Sequence, residues 1–291
     1  MFSLSTGLPV ARWHPGHAGG RSPPPAGRRK SVSVPFVAVI PARLASTRLP
    51  RKVLADIGGV PMVLRCAERA RASGAQEVIV ATDHAEVAAV AEQAGWKVVM
   101  TAAAHASGTD RLAEVVQRLG WGDETLVVNV QGDEPLLEPD SIRAVVQRLA
   151  DSPECGLATA CHAIGSRAAM EQRHAVKVVL NGRDEALYFS RAPIPWARDA
   201  WREGEEPDAW PEGLPAWHHV GLYAYRAGFL RQFSQWDPVP LERFEALEQL
   251  RALWHGVRIA VVRLEGAPLP GVDTEEDLQR VRRQWAAAQR A

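Results

Sequence analysis

The chain has 291 residues, of which 46% are hydrophobic and 23% charged, and its formal net charge at pH 7 is +0. This composition is typical of a soluble globular protein, and the length fits one large domain or two small ones. A chain this long can bury a large enough core to be stable without disulfide bonds. No apolar run approaches the ~18 residues that span a membrane. The three cysteines form no Cys-x-x-Cys pair, which disfavours a zinc site and suits a reducing cytosol. We therefore expect a cytoplasmic protein without a membrane partner.

The balanced charge conceals an asymmetry between the two parts of the chain. Residues 1–33 contain five basic residues and no acidic residue. Because the whole chain has a net charge of +0, residues 34–291 carry an excess of acidic residues. Because no basic excess is left to neutralise phosphates, nucleic acid is not expected as a partner.

Residues 1–33 are rich in Gly, Pro, Ser and Arg, a composition typical of disorder. A signal peptide would need an unbroken apolar core, and the prolines and glycines oppose the amphipathic helix of a transit peptide. We interpret residues 1–33 as a dispensable disordered extension and residues 34–291 as a single domain. Loss of activity on trimming to Val34 would contradict this interpretation.

From Val34 onward, strand patterns and helix patterns alternate. The first strand, residues 36–40, is a run of five apolar residues that fits a central strand covered on both faces. We expect Pro41 to end it, because proline has no N–H for the ladder. The following predicted elements are a helix at 61–72, a strand at 77–81, a helix at 85–94, a strand at 97–100, a helix at 109–119, a strand at 125–130 and a helix at 139–150.

The second half is less regular. Asn181-Gly182 between two strand-like runs is a strong hairpin signal. The predicted elements are strands at 157–164, 176–180 and 186–190, a surface loop at 201–217, a strand at 220–225, a helix at 241–255, a strand at 258–263 and a helix at 274–288. Alternating strands and helices predict an α/β fold with a doubly wound, mostly parallel sheet and a smaller β-rich region.

The loop after the first strand carries Arg43, Arg48, Arg51 and Lys52. Ligands of open α/β sheets bind just beyond the carboxyl ends of the strands. This position suggests an anionic ligand, most simply a phosphate chain, while a solvated basic loop remains the alternative.

Two acidic motifs complement this loop. Asp133 follows Gly132 at the end of the strand at 125–130, where a carboxylate can hold Mg²⁺ against phosphate oxygens. Asp273 precedes the last helix and fits either a second metal ligand or a plain helix-start residue. Asp and Gly are also common turn residues, so Gly132-Asp133 fits a structural turn as well.

The common phosphate and hydrolase signatures are absent from the sequence, including the P-loop, the Gly-x-Gly-x-x-Gly loop, the nucleophile elbow and the zinc-protease motif. A phosphate loop without a P-loop signature, followed by a carboxylate after the fourth strand, indicates nucleotidyl transfer rather than ATP hydrolysis.

A series of ordered motifs then identifies a family. The motifs are VAVIPAR at 37–43, STRLP at 46–50 with Lys52, ATDH at 81–84, SGT at 107–109, VNVQGDEP at 128–135, AVKVVL at 175–180, LYFSR at 187–191, IPW at 194–196, His219, GLY at 221–223, LEQLR at 247–251 and GVDT at 271–274. From about residue 35 onward the chain resembles the 3-deoxy-manno-octulosonate cytidylyltransferases, also called CMP-Kdo synthetases, whose fold is that of the nucleotide-diphospho-sugar transferases.

The resemblance implies a set of ligands for each part of the reaction. Arg43, Arg48 and Lys52 would hold the triphosphate of CTP, and Lys52, Arg48 and Asp133 would act in catalysis. Asp133 and Asp273 would bind Mg²⁺. The cytosine and ribose pocket would contain Thr82, Asp83, Ser107, Gly108, Thr109 and Gln131. The acidic sugar would contact Arg191, His219, Tyr223, Glu248 and Gln249. Tyr223 also fits a core position, and Glu248 a solvated helix face.

The implied reaction is transfer of CMP from CTP to an acidic eight-carbon sugar, Kdo, for lipopolysaccharide synthesis, by a homodimer. The hydrophobic segment 189–196 could form a subunit contact. The alternatives are a cytidylyltransferase for a sialic acid or 8-amino-Kdo, and a catalytically silent nucleotide-binding protein. The sequence departs from the family pattern in its N-terminal extension and at Arg51-Lys52-Val53-Leu54, where the family often has Gly-Lys-Pro-Leu. The role of Arg51 stays open.

Overall fold

The computed structural model of the protein describes residues 34–105, 107–201 and 210–289. The extension predicted for residues 1–33 lies outside these ranges, as do residues 202–209 of the predicted surface loop. The assignment of residues 34–291 to a single domain stays a prediction.

The predicted elements of the first half agree closely with the structure, whereas the patterns do not predict the short elements at residues 56–57, 60–61, 167–171 and 227–233. In chain order the strands are β1 Val37–Ala42, β2 Asp56–Ile57, β3 Val60–Pro61, β4 Glu77–Thr82, β5 Lys97–Met100, β6 Leu126–Asn129, β7 Cys155–Ala163, β8 Lys177–Leu180, β9 Ala186–Ser190, β10 Trp217–Arg226 and β11 Arg258–Arg263. The helices are α1 Met62–Ala72, α2 Ala85–Gln93, α3 Gly108–Leu119, α4 Pro139–Ala150, α5 Arg167–Glu171, α6 Ala227–Phe233, α7 Pro240–Glu245, α8 Gln249–Trp254 and α9 Glu275–Ala288.

The described strands build one large mixed sheet and the small β2-β3 hairpin. The main path of the sheet runs β11-β7-β10-β6-β1-β4-β5. Its pairs are parallel except that β10 lies antiparallel to both β6 and β7. The β8-β9 hairpin joins the sheet through β10. The predicted α/β fold with a mostly parallel sheet is confirmed, and the smaller β-rich region continues this sheet.

Helices cover both faces of the sheet because its central strand is apolar on both sides. Ala38 and Ile40 of β1 pack into the core formed with α1, α2, α4 and α9. Val37 and Val39 point the other way, into the core formed with α3, α6 and α8. Successive side chains of a strand alternate between its faces, so this strand alone contributes to two hydrophobic layers. The doubly wound arrangement follows from that division.

The prediction that Pro41 ends the first strand is wrong. Pro41 stays in register with Ala81 of β4, and β1 continues to Ala42. On the other side, the pairing of β1 with β6 ends at Val39 and Asn129. Proline can still offer its carbonyl to a ladder, so it is tolerated where pairing on one side has already stopped.

Two local predictions in the second half also need correction. The helix expected at 241–255 is divided into α7 and α8, because Ala246 adopts a left-handed conformation with φ of 50°. The hairpin turn after β8 is longer than Asn181-Gly182, and its left-handed residue is Asp184, with φ of 55°. The Asn181 side chain accepts hydrogen bonds from the backbone of Arg183 and Glu185, which stabilises the wider turn.

Within the described ranges, no helix combines the length and the apolar character needed to cross a membrane.

Candidate active site

The basic loop after β1 is fixed to α2 by Arg51. This residue adopts a left-handed conformation, with φ of 59°, directly before the short 3-10 turn Lys52–Leu54. Its guanidinium pairs with Glu86 in the first turn of α2, and this hydrogen bond raises the pKa of Arg51. Glycine reaches this φ without strain, which gives a physical reason for the glycine that the resembled family often has here. In this chain the ion pair holds the arginine in place.

Two loops that are distant in sequence place Asp133 and Asp273 in contact with the ammonium group of Lys52. Lys52 Nζ lies 2.7 Å from Asp133 Oδ2 and 3.0 Å from Asp273 Oδ1. The second oxygen of Asp273 lies 3.0 Å from Arg48 Nη2. The backbone N–H of Val272 donates to the carbonyl of Asp133 at 2.9 Å, which ties the two loops together. The predicted phosphate and metal residues therefore form one cluster.

Lys52 remains charged in this cluster although most of its side chain is buried. Burial lowers the pKa of Lys52, but the hydrogen bonds and charges of Asp133 and Asp273 outweigh it, so the pKa is raised. The last helix adds to the cluster, since Thr274 and Asp277 form a reciprocal capping box at the start of α9. Asp277 also accepts the backbone N–H of Asp273, which fixes the approach of that carboxylate.

A cleft of about 270 Å³ opens beside the cluster. Its polar and charged lining comes from the ends of β1 and β6 and from the basic loop, and it includes Arg43, Lys52, Gln131 and Asp133. Gly108, the first residue of α3, reaches the same cleft. Arg43 donates to the carbonyl of His105 at 3.0 Å, which turns its side chain towards the start of α3. Cationic groups and a helix start around one cleft form a site suited to an anion.

Gly132 permits the close approach of the two loops, and Gly132→Ala tests it. A Cβ at this position would lie 2.9 Å from the backbone carbonyl oxygen of Pro41. Because that atom belongs to β1, we expect the Asp133 loop to shift and the unfolding free energy to fall by ~1–3 kcal/mol. Chemical denaturation measures this change. Gly165→Ala is the control, because a Cβ there meets nothing within 4 Å. Equal stability of the two variants would contradict the close approach.

The predicted residues at the end of β4 are tied to α3 rather than open to the cleft. Thr82 is fully buried, and its hydroxyl accepts the backbone N–H of His84 at 3.2 Å. Asp83 Oδ2 lies 2.8 Å from Nη2 of Arg111, whose side chain is fully buried. Arg111 also donates to the hydroxyl of Thr101. These contacts hold the β4 end against α3.

A second cavity, of about 160 Å³, lies on the other side of the start of α3. Thr109 lines it, whereas its neighbour Gly108 lines the first cleft, so the two cavities adjoin at this turn of the helix. Ser107 connects them further, because its hydroxyl both caps α3 and lies 3.1 Å from Glu248 Oε1. Tyr223, Glu248 and Gln249, all predicted as sugar ligands, line the second cavity together.

One polar group of this second cavity lacks a partner within the part of the chain that the structure describes. Burial raises the pKa of Glu248, while hydrogen bonds from Thr109 and Ser107 oppose the rise. Among the described residues, the buried Nε2 of Gln249 has no hydrogen-bond partner. Buried polar groups are normally paired, so an unpaired amide beside a cavity suggests a site for a polar ligand. Glu248 therefore lines a cavity instead of a solvated helix face.

Of the other two predicted sugar residues, His219 lies beside this cavity, whereas Arg191 makes its hydrogen bonds to residues outside the lining. The ring of His219 is 5.4 Å from that of Tyr223, and its Nε2 is 3.0 Å from the hydroxyl of Thr159. Burial lowers the pKa of His219 to about 3, so its imidazole is neutral at physiological pH. Arg191 is held by backbone carbonyls, with Nε donating to Glu245 at 2.6 Å and Nη2 to Ala246 at 3.3 Å.

Sequence reasoning missed residues that support these predicted ligands. Glu245 accepts the backbone N–H of Arg191 and the hydroxyl of Ser190, and the buried Lys177 donates to the carbonyl of Arg191 at 2.6 Å. Arg111 supports Asp83 in the same way. One signal for Arg111 was available, because it precedes Val115 by one turn on the apolar face of α3, where a charge needs a partner. Nothing local distinguishes Glu245.

The acidic pair fits a divalent cation. Asp133 and Asp273 approach a common position closely enough for one ammonium to contact both. Mg²⁺ prefers hard oxygen ligands and is commonly held by one or two carboxylates together with substrate phosphates. Two carboxylates at the edge of a basic cleft match that donor set.

Comparisons with known proteins identify relatives of this chain. Residues 37–259 match the family model described as cytidylyltransferase. A solved structure of CMP:2-keto-3-deoxy-manno-octonic acid synthetase in complex with CTP is 41% identical in sequence and superposes with a TM-score of 0.77. The match covers 88% of this chain and 100% of that one.

More distant solved structures share the fold. A cytidylyltransferase from Leptospira borgpetersenii serovar Hardjo-bovis is 17% identical, with a TM-score of 0.55 and 86% of each chain covered. A putative glucose-1-phosphate thymidylyltransferase from Bacillus anthracis is 14% identical, with a TM-score of 0.58, and covers 86% of this chain and 95% of its own. The chain therefore belongs to the cytidylyltransferase family and is a nucleotidyltransferase.

Proposed function

We propose that the protein transfers CMP from CTP to 3-deoxy-D-manno-octulosonate (Kdo), giving CMP-Kdo and pyrophosphate and activating Kdo for lipopolysaccharide synthesis. The observation that carries this proposal is the 41% identity over the whole length of a CMP:2-keto-3-deoxy-manno-octonic acid synthetase that binds CTP. The adjoining cavities support it, because one is lined by basic side chains and the other contains the amide nitrogen of Gln249, which is unpaired within the described ranges.

The residues divide the work between the two substrates. Arg43, Arg48 and Lys52 hold the triphosphate, and Gln131 and Gly108 contact the nucleotide from the edge of the same cleft. Thr82 and Asp83 support the nucleotide pocket from beneath, while Ser107 and Thr109 separate it from the sugar. Arg191, His219, Tyr223, Glu248 and Gln249 bind the acidic sugar.

The reaction is an in-line displacement at phosphorus. The C2 hydroxyl of the sugar gives up its proton to solvent and its oxygen forms a bond to the α-phosphorus of CTP. The bond between the α-phosphorus and the bridging oxygen breaks, and pyrophosphate leaves with its electrons. Asp133 and Asp273 would hold Mg²⁺, which when bound offsets phosphate charge and polarises the α-phosphate. The basic loop reduces the repulsion between the sugar carboxylate and the triphosphate. Holding the reactants in line can contribute ~7–11 kcal/mol in favourable cases.

Release of pyrophosphate measured with a panel of substrates tests the proposal. We expect turnover with CTP and Kdo in the presence of Mg²⁺, and little with ATP, GTP or UTP. Preference for 8-amino-Kdo or a sialic acid would contradict the assigned sugar but keep the chemistry. Silence with every CTP–sugar pair would contradict the enzyme assignment.

Gln249→Met should weaken sugar binding without unfolding the protein. We expect the KM for Kdo to rise about tenfold, because one hydrogen bond to the sugar is lost, while the KM for CTP is unchanged. The unfolding free energy should stay within about 1 kcal/mol of wild type, because the Nε2 of Gln249 makes no hydrogen bond within the described part of the protein that the substitution could remove. Steady-state kinetics with each substrate varied in turn measures the difference. Gln279→Met, on the exposed face of α9, is the control; equal KM values for Kdo in the two variants would contradict the role of Gln249.

The homodimer and the cytoplasmic location expected from sequence stay predictions. Phe189, at the start of the proposed contact segment, is fully buried within the subunit. Exposed apolar surface in this region comes instead from Trp196 and from Leu187 on β9. Sedimentation of the protein as a monomer at micromolar concentration would contradict the dimer.

A further inference from the structure

The position assigned to the divalent cation is the position of the Lys52 ammonium. Lys52 Nζ contacts Asp133 Oδ2 at 2.7 Å and Asp273 Oδ1 at 3.0 Å, and Arg48 neutralises the remaining oxygen of Asp273. In the proposed function Lys52 and Arg48 bind phosphate instead. The carboxylates of Asp133 and Asp273 bind the metal. Both sets of contacts cannot exist at the same time.

Electrostatics makes the two arrangements exclusive. Mg²⁺ binds carboxylate oxygens at about 2.1 Å, closer than any ammonium can approach. The side chain of Lys52 is only 13% exposed, so water screens its charge weakly. A divalent ion between the same carboxylates would lie against this charge at short range and be repelled by it.

The loop is built so that the side chain of Lys52 can leave while the backbone stays. Arg51 ties the backbone to Glu86, and the 3-10 turn at Lys52–Leu54 is closed by its own hydrogen bonds. Lys52 also lines the cleft beside the cluster, so its flexible side chain has phosphate-binding space within reach. The side chain of Arg48 is 64% exposed, so it has room to turn as well.

We propose that Lys52 is an internal counter-ion that occupies the metal position between Asp133 and Asp273 until a triphosphate draws it away. This inference rests on the proposed function, because it takes the two aspartates as metal ligands. The triphosphate and the divalent cation then enter together, and each raises the affinity of the protein for the other. In the nucleotide-free protein, Lys52 preserves the carboxylate pair and keeps it closed to metal.

Binding of Mn²⁺ to the nucleotide-free protein tests this exchange. Mn²⁺ replaces Mg²⁺ as the probe because the paramagnetic resonance signal of free Mn²⁺ reports binding directly. We expect Lys52→Met to bind Mn²⁺ about tenfold or more tightly than wild type, because a charge close to the metal position is removed. Lys97→Met is the matched control, since it removes a lysine that pairs with Glu77 on the far edge of the sheet. It should bind as weakly as wild type.

A double variant assigns the binding to the cluster. Adding Asp133→Asn to Lys52→Met should remove the gain in affinity. Mn²⁺ should also raise the melting temperature of Lys52→Met more than that of wild type, which gives a second readout. Lys52→Gln serves the same purpose if the methionine variant folds poorly.

The outcomes separate this inference from the proposed function. Mn²⁺ affinity of Lys52→Met equal to or weaker than that of wild type would overturn the exchange. A gain that survives Asp133→Asn would overturn it too, because the metal would then bind elsewhere. Either result leaves CMP transfer intact, since wild-type turnover of CTP and Kdo tests that reaction by itself.

Discussion

Asp133→Asn is expected to lower the turnover number by about 1,000-fold, at every Mg²⁺ concentration, because it removes one of the two charged ligands that would hold the metal against the phosphates. The substitution keeps the size of the side chain. It leaves Lys52 paired with Asp273, so the cluster loses one charge but not its packing. Added metal cannot restore the rate, since the missing ligand belongs to the protein. Pyrophosphate release at a series of Mg²⁺ concentrations measures the effect.

A matched substitution separates this effect from a general loss of charge. Asp140 lies in the first turn of α4, with 85% of its side chain exposed. Asp140→Asn should leave the turnover number unchanged. Near-normal turnover of Asp133→Asn would refute its role as a metal ligand, whereas a similar loss in both variants would show that the assay responds to net charge.

Arg111→Met should destabilise the fold by about 3 kcal/mol or more, because it leaves the carboxylate of Asp83 largely buried without its cation. Arg111 is fully buried, and Asp83 is 16% exposed. The same variant should bind CTP more weakly, since Asp83 and Thr101 lose the group that ties the end of β4 to α3. Denaturant unfolding measures the first effect and nucleotide titration the second.

Two further variants show whether the buried pair is responsible. Arg118 lies on the same helix with 55% of its side chain exposed, and it pairs with Glu114. Arg118→Met should cost less than about 1 kcal/mol. Adding Asp83→Leu to Arg111→Met should recover part of the lost stability, because no lone charge then remains buried. Equal stability of Arg111→Met and Arg118→Met would contradict a structural role for the Arg111–Asp83 pair.

The phosphate and metal cluster could be anticipated from sequence because of where strands end. Lys52 and Asp133 follow β1 and β6, which are parallel neighbours, so their loops meet at one edge of the sheet. Asp273 lies far away in sequence, and its spacing fits a helix start as well as a metal ligand. In the structure Asp273 lies at a helix start and also in the charged cluster, since it directly precedes the capping residue Thr274 and contacts Lys52.

The supporting residues could not be anticipated in the same way. Glu245 accepts a hydrogen bond from the backbone N–H of Arg191 at the point where Ala246 ends α7 in a left-handed conformation. No local pattern in the sequence indicates this helix end. Arg51 depends on a partner in another element, Glu86. Such contacts depend on tertiary packing, so the ligands of the site were easier to predict than the residues that position them.

The fold follows the same division. The periodic first half was predicted nearly to its boundaries, because each helix has a clear apolar face and each strand a clear apolar run. The position of β10, antiparallel between β6 and β7, was not predicted. Element patterns contain no information on strand order, and this strand supplies His219 and Tyr223 beside the second cavity.

The most direct test of CMP transfer is phosphorus NMR of the reaction of CTP with Kdo and Mg²⁺. We expect the three signals of CTP to be replaced by those of pyrophosphate and of one phosphodiester, in equal molar amounts, with the diester joining cytidine to the sugar. Unchanged CTP, or release of phosphate without a sugar ester, would contradict CMP transfer.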